Sequence, residues 1–142
     1  MVNDEEMLQF IMKNAEMGCR GINDVKHYSN TADMSNALRS QNLEYGHIYH
    51  SAYNMIRNRG FSSAHINPIV SAMTRAKARR EMRSDSSDPH IAEMMIEGNV
   101  MGVKKIARHI RQYDGKNKSI SGLADKLMST QQANIDEMKS FL

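Results

Sequence analysis

Apolar residues recur at steps of three and four along nearly the whole chain, the period of helices with one buried face. Leu8, Ile11, Ala15, Gly18, Ile22 and Val25 mark such a face and predict a first helix over residues 4–27. The stretch HYSN reads as a short loop. Asn30 is then a candidate N-cap, with Asp33 three residues on. A second helix runs from there to about Asn58, where Gly60 supplies a stop. Its seam is Met34, Leu38, Gln41, Tyr45, Ile48, Ala52 and Met55, in steps that alternate four and three. Asn67-Pro68 sets a cap before a proline at the first helical position and opens a short third helix. Asp88-Pro89 repeats the device and opens a fourth, which packs through Ala92, Met95, Asn99, Val103, Ile106 and Ile110 and ends near Gly115. A fifth helix runs from about Ser119 to the C-terminus.

The joins between helices one and two, and between four and five, are short. Each pair therefore forms an antiparallel hairpin, over residues 4–58 and 88–142. The segment 59–87 between the hairpins is long. An up-down-up-down bundle has no need of it, whereas a chain carried back along the bundle does. The expected fold is all-α: a single ferritin-like four-helix bundle over residues 1–142, whose crossover contains a short helix. Met17-Gly18 with Ile22 matches Met101-Gly102 with Ile106, a weak internal echo of the two hairpins.

Composition narrows the class. Charged residues make up 25% of the chain and no long apolar run interrupts them, which reads as a soluble globular domain. The acidic start MVNDEEM resembles neither a secretory signal nor a membrane anchor, and the single Cys19 fits a reducing compartment. The expected location is cytoplasmic. Thirteen Met and no Trp suggest a core of adaptable side chains.

The stretch LEYGHIYH, residues 43–50, places Glu44 and His47 in the Glu-x-x-His spacing of di-metal bundles. Register tests that suggestion. At 100° per residue, Glu44 lies about 70° from the centre of the second helix's seam, His47 about 130° away, and His50 nearly opposite. On the first helix, Glu16 lies about 140° from the seam. Glu93 and Glu97 also turn outward. Glu44 and His47 are thus marginal metal ligands. No cofactor is expected, and iron or another transition metal is the alternative.

The polar residues that point inward are mostly amides: Asn14, Gln41, Asn99, Gln131 and Asn134. Counted from the hairpin turns, they fall near mid-bundle. A buried amide must find a hydrogen-bond partner or it destabilises the fold. The expectation is an amide layer, bonded between helices or through water, that fixes register.

Met95-Ile96, Glu97-Gly98-Asn99, Met101, Leu123-Ala124, Gln131-x-x-Asn134-Ile135-x-x-Met138 and a closing Phe141-Leu142 resemble the ferritin-like family catalogued as domain of unknown function 305. The resemblance runs from Asp88 to the C-terminus. That family reads M-I-x-H-H in the first of these helices and Q-x-x-E-I-x-x-M in the second. Its two histidines fall on Gly98 and Asn99 here, and its glutamate on Asn134. The resemblance thus implies a ferritin-like bundle whose metal-capable positions are lost. Residues 4–60 resemble, more loosely, the first hairpin of other bacterial ferritin-like proteins, including those like spore coat protein F.

Two further features stand apart. Arg75, Lys77, Arg79, Arg80 and Arg83 form a basic run that could contact phosphate, but no aromatics interleave it and Glu81 and Asp85 dilute it. Gly18, Gly21, Gly98 and Gly102 imply close helix approach, within the bundle or across a homodimer, and Tyr49, Tyr53, Met12 and Met17 offer a dimer patch. The expected function is a non-enzymatic structural or protein-interaction module with a degenerate metal site. The alternatives are a metal-binding or redox protein using Glu44 and His47, and a nucleic-acid binder using residues 75–83. A homodimer and an unidentified protein partner are the partners left open; nucleic acid is disfavoured, and no membrane partner is expected.

Overall fold

Side-chain caps set where each helix begins. The computed structural model describes residues 1–142 and is all-helical, with five α-helices and one 3₁₀ turn. The first helix, α1 (Asp4–Val25), is capped by Asn3, whose side chain accepts from the Glu6 amide at 2.9 Å. Asp4, Glu5 and Glu6 in its first turn suit the positive end of the helix dipole. A 3₁₀ turn, Lys26–Tyr28, follows. Thr31, rather than Asn30, caps α2 (Ala32–Asn58) by accepting from the Met34 amide at 3.1 Å. Gly60 ends α2 with a φ of 69°, a conformation that glycine reaches without strain.

The crossover helix α3 (Pro68–Ser84) opens with Asn67 as cap and Pro68 at its first position. At 17 residues it is a full helix rather than a short one. Ser87, rather than Asp88, caps α4 (Asp88–Gln112), and Asn117 caps α5 (Lys118–Lys139). Shifting both caps by one residue frees Asn30 and Asp88 to meet each other. Asp88 is buried, and its carboxylate accepts from the Asn30 amide at 2.9 Å and from Thr31 Oγ1 at 2.7 Å. The Asn30 side chain also donates to Ser86 O at 2.9 Å. The start of α4 is thereby clipped to the turn between α1 and α2.

Polar contacts give the helix directions. Going along the crossover, Ser62 meets Glu5, His65 meets Glu16, Ser71 meets Arg20 and Arg75 meets Asp24. Both sets of numbers rise together, so α3 runs parallel to α1. The α4 helix then returns, and Tyr113 at its end donates to Asp4 Oδ1 at 2.5 Å. There Val2 forms a two-residue parallel bridge with Tyr113, through Val2 N to Gln112 O and Asp114 N to Val2 O. The α5 helix runs back beside α2, bringing Glu137 to Gln41. So α1 and α5 point one way, and α2 and α4 the other.

One continuous core joins all five helices. The most enclosed is α1, which touches each of the other four. Its Met7, Leu8, Ile11, Met12 and Ala15 have no exposed surface. Met12 therefore belongs to the core and not to a surface patch. By contrast, α3 buries only Ser71, Ala78 and Met82. Polar contacts to α1 and α4 supply the rest of its attachment. No helix is long and apolar enough to cross a membrane.

Candidate functional site

The middle of the helical core is polar and self-paired. From α1, half-buried Asn14 offers Oδ1 to Gln131 Nε2 of α5 at 2.9 Å, and its Nδ2 reaches Gly102 O of α4 at 3.5 Å. From α2, the Tyr45 hydroxyl donates to Asn99 Oδ1 of α4 at 2.5 Å. Asn99 in turn donates to Met95 O, one turn back on its own helix, at 2.7 Å. Asn134 lies one turn from Gln131 on the same face of α5, and both amides sit beside the Tyr45 hydroxyl. Burial pushes the pKa of that hydroxyl up, and the neighbouring Gln131 and Asn134 amide dipoles oppose the rise. The phenol is thus held neutral among neutral partners.

Two glycines make room for this layer. A Cβ on Gly18 would fall 2.6 Å from Tyr45 Cζ, so the tyrosine ring lies flat against the backbone of α1. A Cβ on Gly102 would fall 2.2 Å from Gln131 Nε2. In each hairpin the first helix thus carries a glycine socket for a long polar side chain of the second. The matching Met-Gly pairs of the sequence mark these two sockets. Gly21 and Gly98, by contrast, face open space, and no close helix approach depends on them.

The layer holds four of the five expected amides. Gln41 is the exception. It lies one turn from Tyr45 and donates to Glu137 Oε1 at 2.7 Å, so buried Gln41 forms a separate pair with an exposed carboxylate nearer the end of α5. Tyr45 takes the place that register reasoning gave to Gln41. Three buried amide atoms have no protein partner: Gln41 Oε1, Gln131 Oε1 and Asn134 Nδ2. The last two, an acceptor and a donor one turn apart, have the chemistry to share a bridging water.

The other candidates do not converge. Glu44 is half-buried at the margin of the core, while His47 and His50 are exposed. No group of three or more His, Cys, Asp or Glu side chains is placed to hold a metal ion. Glu16 departs from the outward reading: the crossover covers it, with His65 Nδ1 3.7 Å from one carboxylate oxygen and Arg20 at 3.3 Å from the other. Helix register gives a direction but not what is laid over it. Cys19 is half-buried, and its thiol donates to Asn42 O at 3.8 Å. Burial, with the Glu16 charge second, pushes that thiol up, away from nucleophilic character. In the basic run, Arg75 is 3.8 Å from Asp24, while Lys77, Arg79, Arg80 and Arg83 are exposed. Tyr49, Tyr53 and Met17 are half-buried around the core.

No family model, no curated protein and no solved structure matches this sequence.

Proposed function

We propose that the chain is a ferritin-like four-helix bundle without a metal centre, acting as a non-enzymatic structural or protein-interaction module. The scaffold reading rests on connectivity. Two antiparallel hairpins, joined by a crossover that travels alongside α1, leave α2 and α4 parallel, as a bundle with one long connection requires.

The single observation that carries the metal-free reading is the pairing of Asn14 with Gln131 and of Tyr45 with Asn99. Di-metal bundles bring four carboxylates and two imidazoles to the same level. Carboxylates and imidazoles hold iron because they supply charge and basic lone pairs. Amides and a neutral phenol supply neither, and here they are engaged with one another. The donor set does not fit a di-metal centre. The resemblance to domain of unknown function 305 supports the same view, since its ligand positions fall on Gly98, Asn99 and Asn134.

The test is elemental analysis of protein purified without chelators, with thermal melting before and after added iron(II), manganese(II) or zinc(II). The expected result is substoichiometric metal and an unchanged Tm. One or more metal ions per chain, whose removal lowers Tm, would overturn the reading.

A further inference from the structure

Exposed apolar side chains are few and concentrated. Of the eight large ones, five lie on two helices: Ile69, Val70 and Met73 on α3, and Val100 and Met101 on α4. Ile69 is 69% exposed, Met73 66% and Met101 57%. On α3 the outward row runs Ile69, Met73, Ala76, Arg80, Arg83, in steps of four and three, the spacing by which one helix seats another. Its first half is apolar and its second half cationic. On α4 the outward row opens with exposed Glu93 and Glu97, and Val100 and Met101 flank its next turn. The order is reversed over the length of α3: carboxylates come first and apolar surface next, while the exposed Lys104 and Arg108 that follow lie level with residues before the start of α3.

We infer that these two rows are the halves of a self-complementary surface, and that its occupant is a second copy of this chain. Its twofold axis lies parallel to the helices and sets α3 of one copy antiparallel to α4 of the other. Such an axis keeps levels unchanged, and it makes the same contact twice. Glu81 Oε2 and His90 Nε2, 3.1 Å apart, mark where α3 and α4 share a level. Counting away from that point, Val70 meets the level of Met101, Met73 that of Val100, Lys77 that of Glu97 and Arg80 that of Glu93. Each pair agrees within about three residues of helical rise, or about 5 Å. Apolar residues thus face apolar residues, and cations face carboxylates.

A nucleic acid would use the cations and leave Ile69 and Met73 without a role. Two copies of α3 facing each other would oppose cation to cation if parallel, and cation to apolar side chain if antiparallel. The match of charge and apolarity across α3 and α4 favours the pair. The inference is independent of the reading of the core.

Sedimentation of the full chain over a concentration series tests it. The expected result is a monomer–dimer equilibrium whose dissociation constant rises about tenfold or more for Met73→Glu and for Met101→Glu. Arg80→Glu and Glu93→Arg should each weaken the dimer, and together restore it. Position is checked by mixing Met73→Cys copies with Met101→Cys copies, both in a Cys19→Ser background. Oxidation should give a covalent dimer from the mixture in preference to either copy alone. A chain that is monomeric at every concentration would overturn the inference. So would a dimer untouched by these substitutions, or a monomer that captures an acidic helical peptide, DNA or anionic vesicles through the same residues.

Discussion

Gly18→Ala and Gly21→Ala are the same chemical change three residues apart on one helix, and they should have opposite signs. An alanine in a helix interior is favoured over glycine by about 1 kcal/mol. At Gly21 the new methyl meets open space, so the variant should gain up to that amount. At Gly18 the new Cβ would stand 2.6 Å from Tyr45 Cζ and 2.7 Å from both Cε atoms. Carbon atoms pack at about 3.5–4.0 Å, so the ring must retreat by about 1 Å. It is not free to do so, because its hydroxyl is held 2.5 Å from Asn99 Oδ1 in a buried setting. Overpacking costs about 1–3 kcal/mol, and stretching a buried hydrogen bond adds about 1 kcal/mol. Set against the helix-propensity gain, Gly18→Ala should destabilise by about 1–3 kcal/mol, a fall of some 3–9 °C in Tm at roughly 3 °C per kcal/mol. Urea and thermal denaturation of the two variants supply the measurement. A cycle with Tyr45→Leu identifies the cause, since shortening the side chain should abolish most of the Gly18→Ala penalty. A Gly18→Ala protein as stable as Gly21→Ala, or a penalty unchanged by Tyr45→Leu, would refute the socket.

Tyr45→Phe should destabilise by about 1–2 kcal/mol in urea denaturation, because it leaves Asn99 Oδ1 buried without its donor. Asp88→Asn should destabilise by about 1–3 kcal/mol near neutral pH by weakening the clip to Asn30 and Thr31. Burial alone would raise the Asp88 carboxyl, but the hydrogen bonds from Asn30 and Thr31 outweigh it and hold it below the usual range. Its contribution is therefore present above the unfolded carboxyl value of about 3.9 and disappears as pH falls through the lower folded value, so the wild type and Asp88→Asn should converge in acid. Burial, then the hydrogen bond to Asp4 and its negative charge, push the Tyr113 hydroxyl up to about 12. Spectrophotometric titration should show late tyrosine ionisation whose amplitude near pH 12 drops in Tyr113→Phe while that of buried Tyr45 persists, and the wild type should lose stability as pH rises from the ordinary tyrosine value toward 12.

What the sequence disclosed and what it hid divide along a physical line. Direction around a helix is a local property, fixed by 100° per residue, and it brought Asn14, Asn99, Gln131 and Asn134 inward while turning His47 and His50 out. Coverage is not local. Glu16 and Met12 both lie away from the main seam of α1, yet the elements packed around that helix enclose them. The role of Tyr45 was hidden because an aromatic in a seam reads as apolar filling; only its position over Gly18 discloses where the hydroxyl goes. The same holds for Asp88, which fits a cap by sequence but acts across space, 58 residues from Asn30. The Val2 bridge to Tyr113 leaves no pattern at all, since two residues are too few to carry a period.

The two halves of the polar layer also differ in how far along the chain they reach. The Gly18–Tyr45 socket lies inside one hairpin, as does Gly102–Gln131. The hydrogen bonds that join the hairpins, Tyr45 to Asn99 and Gln131 to Asn14, span 54 and 117 residues. Short loops close at low entropic cost and long ones later. On this hypothesis each hairpin assembles first around its own glycine, and the inter-hairpin bonds form only when the preassembled halves dock. Tyr45→Phe would then have a φ-value near zero, hastening unfolding while leaving the refolding rate unchanged. A slowed refolding rate in stopped-flow measurements would place the layer in the nucleus instead. The polar centre, on this account, acts as a clasp on the lifetime of the native state and has little part in finding it.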